Sequence, residues 1–294
     1  MKGFLLSLVV FVVFHGVLPA GASEWDCAST SGTFERSTDC TMGDEVAVSG
    51  DLTVTGKETV YSTLTAASGK RHFKITSGAH RVSLSWLNMT GGNVGSSGGS
   101  IHVNNVAAHL NISHCVFFNN RASVGGAAYV NNGPTLIFSS VLFDTNTATV
   151  HGGAVYLERG TFHGEGNTFK KNTAMNNGAA MYIIYGSTVS STGSSFRKNT
   201  AGMKGGCIYI SGNSSLGPAR VNLTRAQLIE NKQTRGGTDG ENGGGGLYLH
   251  NRATANLREC TFVRNEATQG SVGGKHGHHI MTSISSSGSP SITL

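Results

Sequence analysis

Charge is scarce in this chain. Asp, Glu, Lys and Arg together make up 13% of its 294 residues, which argues against an ion-pair-laced helical protein and against a charged disordered one. Tryptophan occurs twice and proline four times. No D-x-D or paired Asp occurs, and between Gly125 and Ile210 the only acids are Asp144, Glu158 and Glu165. Paired or clustered carboxylates are what acid–base work on sugars or calcium binding would need. Downstream of the N-terminal segment no apolar run is long enough to span a bilayer. The net charge of +6 falls by one with Lys2 in the leader. It is thinly spread in the sequence, with no basic stripe and no nucleic-acid motif, so nucleic acid is not an expected partner.

What is abundant is glycine, at 42 residues, together with Ser, Thr, Asn, Val and Ile. β-Branched residues mixed with turn formers predict many short strands. The N-terminus reads MKGFLLSLVVFVVFHGVLPAGAS: a Lys2 n-region, an apolar run from Phe4 to Val13 and the small triplet Ala20-Gly21-Ala22. It predicts a secretory signal over residues 1–22 and a mature chain that is secreted or displayed at a cell surface. In that oxidising compartment Cys27 and Cys40, flanking a Ser/Thr/Gly loop, predict a disulfide. Cys115, Cys207 and Cys260 match no zinc template and predict free thiols. Asn88, Asn111, Asn213 and Asn222 head N-x-S/T sequons, candidates for N-glycosylation on exposed loops or turns.

Two phrases recur in phase. One is a glycine pair running into a short strand: Gly125–Val130 (GGAAYV), Gly152–Leu157 (GGAVYL), Gly178–Ile183 (GAAMYI), Gly205–Ile210 (GGCIYI) and Gly244–Leu249 (GGGLYL), with tyrosines stepping by 27, 26, 27 and 39 residues. The other is F-x-x-N at Phe117–Asn120, Phe143–Asn146, Phe169–Asn172, Phe196–Asn199 and Phe262–Asn265, with Leu228–Asn231 (LIEN) as a variant. Leu87-x-x-Thr90 followed by Gly98-Gly99-Ser100-Ile101 reads as a degenerate first copy. Apolar residues do not recur at helical spacing; short alternating runs are separated by Gly and Asn. A unit of about 26 residues holding three strands and three turns is one coil of a solenoid whose strands pair with the coil before. The expected organisation is an N-terminal cap and first strands over 23–70, parallel β-helix coils over 71–280, and an incomplete last coil or frayed tail over 281–294. Pro290–Leu294 (PSITL) resembles Pro134–Phe138 (PTLIF), and the long step before Tyr248 places a glycine-rich insertion over Thr234–Gly246.

Strand alternation sorts the repeated positions. Ala128, Val155, Met181, Ile208 and Leu247 should point inward, with Val130, Leu157, Ile183, Ile210 and Leu249. Tyr129, Tyr156, Tyr182, Tyr209 and Tyr248 then face outward together with Ala127, Ala154, Ala180, Cys207 and Gly246. That tyrosine column is the candidate binding ladder, for sugar rings or a partner protein, unless it only stabilises the sheet. Asn120, Asn146, Asn172, Asn199, Asn231 and Asn265 should take the tight turn and form a structural hydrogen-bonded ladder. Glu158 and Arg159 form a potential small polar site, and Lys275-His276-Gly277-His278-His279 reads as a polar turn. No catalytic, cofactor-binding or metal-binding residue is assigned.

The alternation of GGA-[aliphatic] with F-x-x-N resembles the polymorphic outer-membrane protein repeats first known from chlamydiae, over roughly Trp86 to Ile280. The resemblance implies an all-β, right-handed, single-stranded parallel β-helix of the pectin-lyase-like kind. It also implies surface display, and adhesion attributed to these motifs, here Gly152–Val155 and the F-x-x-N copies. The expected function is therefore a binding or adhesion module for glycan or protein partners. A pectate-lyase-like carbohydrate-active enzyme shares the architecture, and a structural wall or coat component is a third reading.

Overall fold

The computed structural model describes residues 22–78, 80–235, 243–268, 275–276, 280–283 and 289–294. One coil shows why the sequence repeats. Thr135–Ser139 leads to Leu142–Asp144, then Thr147–His151, then Val155–Glu158, and the next coil opens at Thr161–Glu165. Each strand hydrogen-bonds in parallel to its counterpart one coil away, as Leu136 does opposite Phe162 and Tyr156 opposite Tyr182. The described residues thus build sheets of eleven, nine, seven and nine strands, here sheets 1 to 4 in the order a coil visits them. The chain is a parallel β-helix. The first coils have the three strands that the sequence reading expected, whereas the coils from His109 to His250 have four: the extra one, of sheet 3, is only two to five residues long and follows the F-x-x-N asparagine.

The inward columns are the expected ones. Ala128, Val155, Met181, Ile208 and Leu247 are buried in one continuous core with their partners from Val130 to Leu249. The phenylalanines of F-x-x-N stack along the axis, with centroids 4.9, 4.6 and 4.9 Å apart from Phe117 through Phe143 and Phe169 to Phe196. Full burial of each is worth about 1.5–3 kcal/mol, more than the roughly 0.2–1 kcal/mol of an outward cross-strand pair. The interior columns therefore dominate stability.

The corners explain the punctuation. Between sheets 3 and 4, Gly152 is left-handed (φ 67°). A Cβ on Gly153 would lie 2.4 Å from the Ala179 carbonyl oxygen and 2.5 Å from that of Thr173. At this coil the first glycine answers conformation and the second answers space, whereas one coil on the second place is filled by Ala179.

Between sheets 2 and 3 the structure corrects the role of asparagine. The left-handed residue is the one before it: Asn119, Thr145, Lys171, Lys198, Glu230 and Arg264 have φ from 47° to 59°. The asparagines themselves point inward and are buried. Each Nδ2 from Asn120 to Asn231 donates to the Oδ1 of the next coil's asparagine, at 3.1, 3.1, 3.0, 2.9 and 2.8 Å down to Asn265. It also donates to a carbonyl of the preceding coil, as Asn172 does to Phe143 at 3.0 Å. Each Oδ1 accepts the backbone N–H of the previous coil's asparagine as well. An amide side chain supplies two donors and a two-fold acceptor, which is what this buried corner requires.

At the N-terminal end Ser23–Glu24 and Gly32–Arg36 already join sheet 1. Trp25 is buried and stacks 5.8 Å from Phe73, covering the core, and a disulfide joins Cys27 to Cys40. At the other end Ser291–Thr293 pairs with Thr254–Asn256 in sheet 1, the place its likeness to Pro134–Phe138 predicts. Residues 1–21, 236–242 of the glycine-rich insertion and Gly277–His279 lie outside the described residues.

Candidate functional site

Register carries the tyrosines into one outward column of sheet 4 and adds a member that the repeat reading did not name. Counting three past the glycine pair of the degenerate copy would have found it: His102 stands opposite Tyr129. Ring centroids step by 5.0, 5.1, 5.2, 4.8 and 5.6 Å from His102 through Tyr129, Tyr156, Tyr182 and Tyr209 to Tyr248. Because the rings stack on one another, their faces are occupied by their neighbours. Edges and hydroxyls are what remain to meet a ligand. His102, Tyr129, Tyr156 and Tyr182 are half-buried, whereas Tyr209 is 6% exposed and Tyr248 is fully buried. Only the first four rungs are thus available to a partner.

The small residues beside the tyrosines do not face outward. Ala127, Ala154, Ala180 and Cys207 are buried in the main core. Ala127 and Ala128 both donate their N–H to the Ala154 carbonyl, at 3.0 and 2.9 Å. The chain is still turning the corner at this residue, and strict alternation starts one residue later.

The side chains around the ladder hold it neutral. Burial raises the hydroxyl pKa of Tyr129, Tyr156 and Tyr182, so these groups stay protonated as donors. Burial, with Arg71 nearby, lowers that of His102. His151 stacks on Tyr182 at 4.4 Å and burial pushes its pKa down to about 4.

At the corner between sheet 4 and the next coil's sheet 1, the expected Glu158–Arg159 pair is brought into a larger network. The Tyr156 hydroxyl donates to Glu158 Oε2 at 3.2 Å and Arg159 lies 3.5 Å from Glu158 Oε1. Arg159 Nη2 donates to Asn131 Oδ1 at 3.0 Å, and Asn131 Nδ2 donates to the Tyr129 hydroxyl at 3.1 Å. Beyond this network lies an open groove of about 650 Å³, lined by Thr76, Asn104, Asn105, Asn132 and Arg159, with Val106 73% exposed at its rim. Carboxamides and a guanidinium at coil spacing bond hydroxyl-rich or carboxylated ligands.

Asp144, Glu158 and Glu165 do not converge. Asp144 stands on sheet 2 paired with Lys170 at 3.2 Å, Glu158 on sheet 4 and Glu165 on sheet 1. Among the described residues no three His, Cys, Asp or Glu side chains gather to hold a metal ion. Of the expected Lys275–His279 turn, Lys275–His276 forms a short strand antiparallel to Ala267–Thr268 instead, and residues 277–279 lie outside the described residues.

The sequons fall on different surfaces. Asn111 and Asn222 are exposed in one outer column of sheet 1. Asn213 sits in a tight turn, its Oδ1 accepting from the Ser215 and Leu216 N–H groups, and Asn88 is half-buried with its carboxamide oxygen enclosed.

A family model described as a right handed beta helix region matches residues 75–225, just over half the chain. The chain belongs to this right-handed β-helix family. No curated protein and no solved structure gives a significant match to it.

Proposed function

We propose that the protein is a secreted or surface-displayed β-helix that binds a glycan or a surface protein without turning it over. One observation carries the reading. The groove presents Thr76, Asn104, Asn132 and Arg159 along the solenoid axis, and its nearest carboxylate, Glu158, is held by Tyr156 and Arg159. Bonds from such groups recognise hydroxyls, and a paired carboxylate is poorly placed to act as a base. The half-buried edges of His102, Tyr129 and Tyr156 form the adjoining wall. The disulfide fits an oxidising compartment. The likeness of the double repeat to the chlamydial-type surface proteins supports adhesion as the biological use.

A glycan array and cell-binding assay with the mature chain tests this. Asn104→Ala and Arg159→Asn, the latter suited to the left-handed backbone at this position (φ 50°), should each weaken binding about tenfold or more, the effect of losing about 1.4 kcal/mol. Turnover of a polyuronate abolished by Asp144→Asn or Glu158→Gln would overturn the proposal in favour of an enzyme.

A further inference from the structure

The corner between sheets 2 and 3, opposite the groove in the cross-section of the coil, gathers positive charge that looks dispersed in the sequence. Lys170 and Arg197 stand directly opposite each other on adjacent strands. Lys171 and Lys198 follow them in successive coils, both left-handed (φ 54° and 55°), which turns their side chains out at the bend. Arg264 takes the same corner position two coils beyond Lys198, and Lys232 stands beside it on the adjoining strand of sheet 3, with side chains 69% and 51% exposed. Adjacent coils are about 4.8 Å apart, so the row from Lys171 to Arg264 runs about 14 Å along the axis.

Stability does not ask for this arrangement. The position shared by Lys170 and Arg197 is Phe118, Asp144, Ile229 and Val263 in other coils, and like charges directly opposite each other destabilise a sheet. Acids interleave with these cations. Glu230 takes the corner position between Lys198 and Arg264, meeting Lys198 at 3.6 Å and also Arg264. Asp144 meets Lys170 at 3.2 Å and Glu266 meets Lys232 at 3.4 Å, so six cations face three carboxylates. Arg197 reaches only neutral groups, Gln227 Oε1 at 2.6 Å and Ser195 Oγ at 2.8 Å. A hollow of about 420 Å³ opens among Lys198, Thr200, Glu230, Lys232, Arg264 and Glu266. The acids are concentrated elsewhere: eight of the 16 fall between Glu24 and Glu58, accompanied only by Arg36 and Lys57 among the bases.

We propose that this corner is a second binding surface, for a linear polyanionic polysaccharide lying along the solenoid axis. Cations spread over about 14 Å of the axis match anionic groups spaced along a polymer better than they match one phosphate. The neighbouring outward side chains are Thr168, Ser195, Gln227, Thr173 and Thr200. They bond sugar hydroxyls and none is aromatic; Phe118, the exposed aromatic in this column, lies two coils from Lys170, so no base could stack among the cations, which favours a polysaccharide over a single-stranded nucleic acid.

The test is retention of the mature chain on immobilised heparin, polygalacturonate and neutral dextran across a salt series. Salt-sensitive retention on heparin assigns sulfate, on polygalacturonate carboxylate, and on both a general anion site; each supports the proposal. The pair Lys171→Gln/Arg197→Gln should weaken retention at least tenfold. Arg81→Gln/Arg220→Gln on the exposed face of sheet 1 removes the same charge and should change it less than twofold. Both pairs are surface changes, and thermal unfolding checks that they fold. Retention on none of the three, equal loss in both pairs, or binding of DNA or anionic vesicles but of neither charged polysaccharide overturns the proposal. The site is independent of the groove: Arg159→Asn should leave heparin retention intact, so failure of one reading is separable from failure of the other.

Discussion

Removing one rung of the asparagine ladder is the sharpest test of how the corner is held. In Asn172→Ala the Asn146 backbone N–H loses its acceptor at 3.0 Å and the Asn146 Nδ2 loses one of its two, at 3.1 Å. The Phe143 carbonyl loses a donor at 3.0 Å. All of this happens where Asn146 and Asn172 are fully buried, so water cannot step in. At about 1–3 kcal/mol for each orphaned buried donor, two donors cost about 2–6 kcal/mol. That is a large share of a stability of about 5–15 kcal/mol. Asn172→Asp separates shape from donor chemistry. It still accepts from Asn146, but it brings a buried anion against the Asn199 Oδ1 and the Phe143 carbonyl, where an N–H pair stood. It should also destabilise strongly at neutral pH. Thr173→Ala, exposed next door, should stay within about 0.5 kcal/mol. Equilibrium urea unfolding followed by far-ultraviolet circular dichroism gives the midpoints. A loss below about 1 kcal/mol for Asn172→Ala, or one no larger than that of Thr173→Ala, would refute the ladder's role.

Two further outcomes follow from buried titratable groups. His72 is fully buried between the Leu64 carbonyl (Nε2, 2.9 Å) and Ser100 Oγ (Nδ1, 3.0 Å), and burial lowers its pKa to about 4. The unfolded chain therefore takes up the proton first as pH falls below about 6.5, and stability present above that pH drains away down to about 4. His72→Gln should flatten the slope of stability against pH in that window, read by urea midpoints; an unchanged slope would contradict the assignment. Burial pushes the Cys115 thiol up to about 12 and raises Cys207 well above the ordinary thiol value, whereas Cys260 is only partly buried. A chromogenic disulfide reagent at pH 8 should label Cys260 in the native chain and all three free thiols only after unfolding. Native labelling of Cys115 or Cys207 would count against the packing described.

Much of the solenoid was legible because each coil repeats the same local problem. Two glycines, an alternating aliphatic run and F-x-x-N recur in register, and the core columns from Ala128 to Leu249 follow from period-two alternation alone. The fourth strand was not legible: stretches as short as Thr173–Ala174 and Thr200–Ala201 have no pattern of their own. They are strands only because neighbouring coils supply their hydrogen-bond partners. The alanines misled for a related reason, since alternation says nothing about a residue still inside a corner. The candidate site was half legible. The tyrosine column could be read from spacing, yet spacing carries no information on how deeply each rung is covered. Arg159, Asn132, Asn104 and Thr76 lie in different coils and meet only when the coils stack.

By itself, then, the sequence determined the repeat, the inward columns, the N-terminal disulfide and the identity of the buried asparagine rungs. Each is a property of residue type and period, which survives in one dimension. The tertiary structure decided that the tyrosine faces are spent on one another, that the left-handed strain falls on the residue before each asparagine, and that lysines and arginines 27 to 34 residues apart gather at one corner. Those outcomes depend on adjacency between coils at about 4.8 Å, a distance the linear chain does not contain.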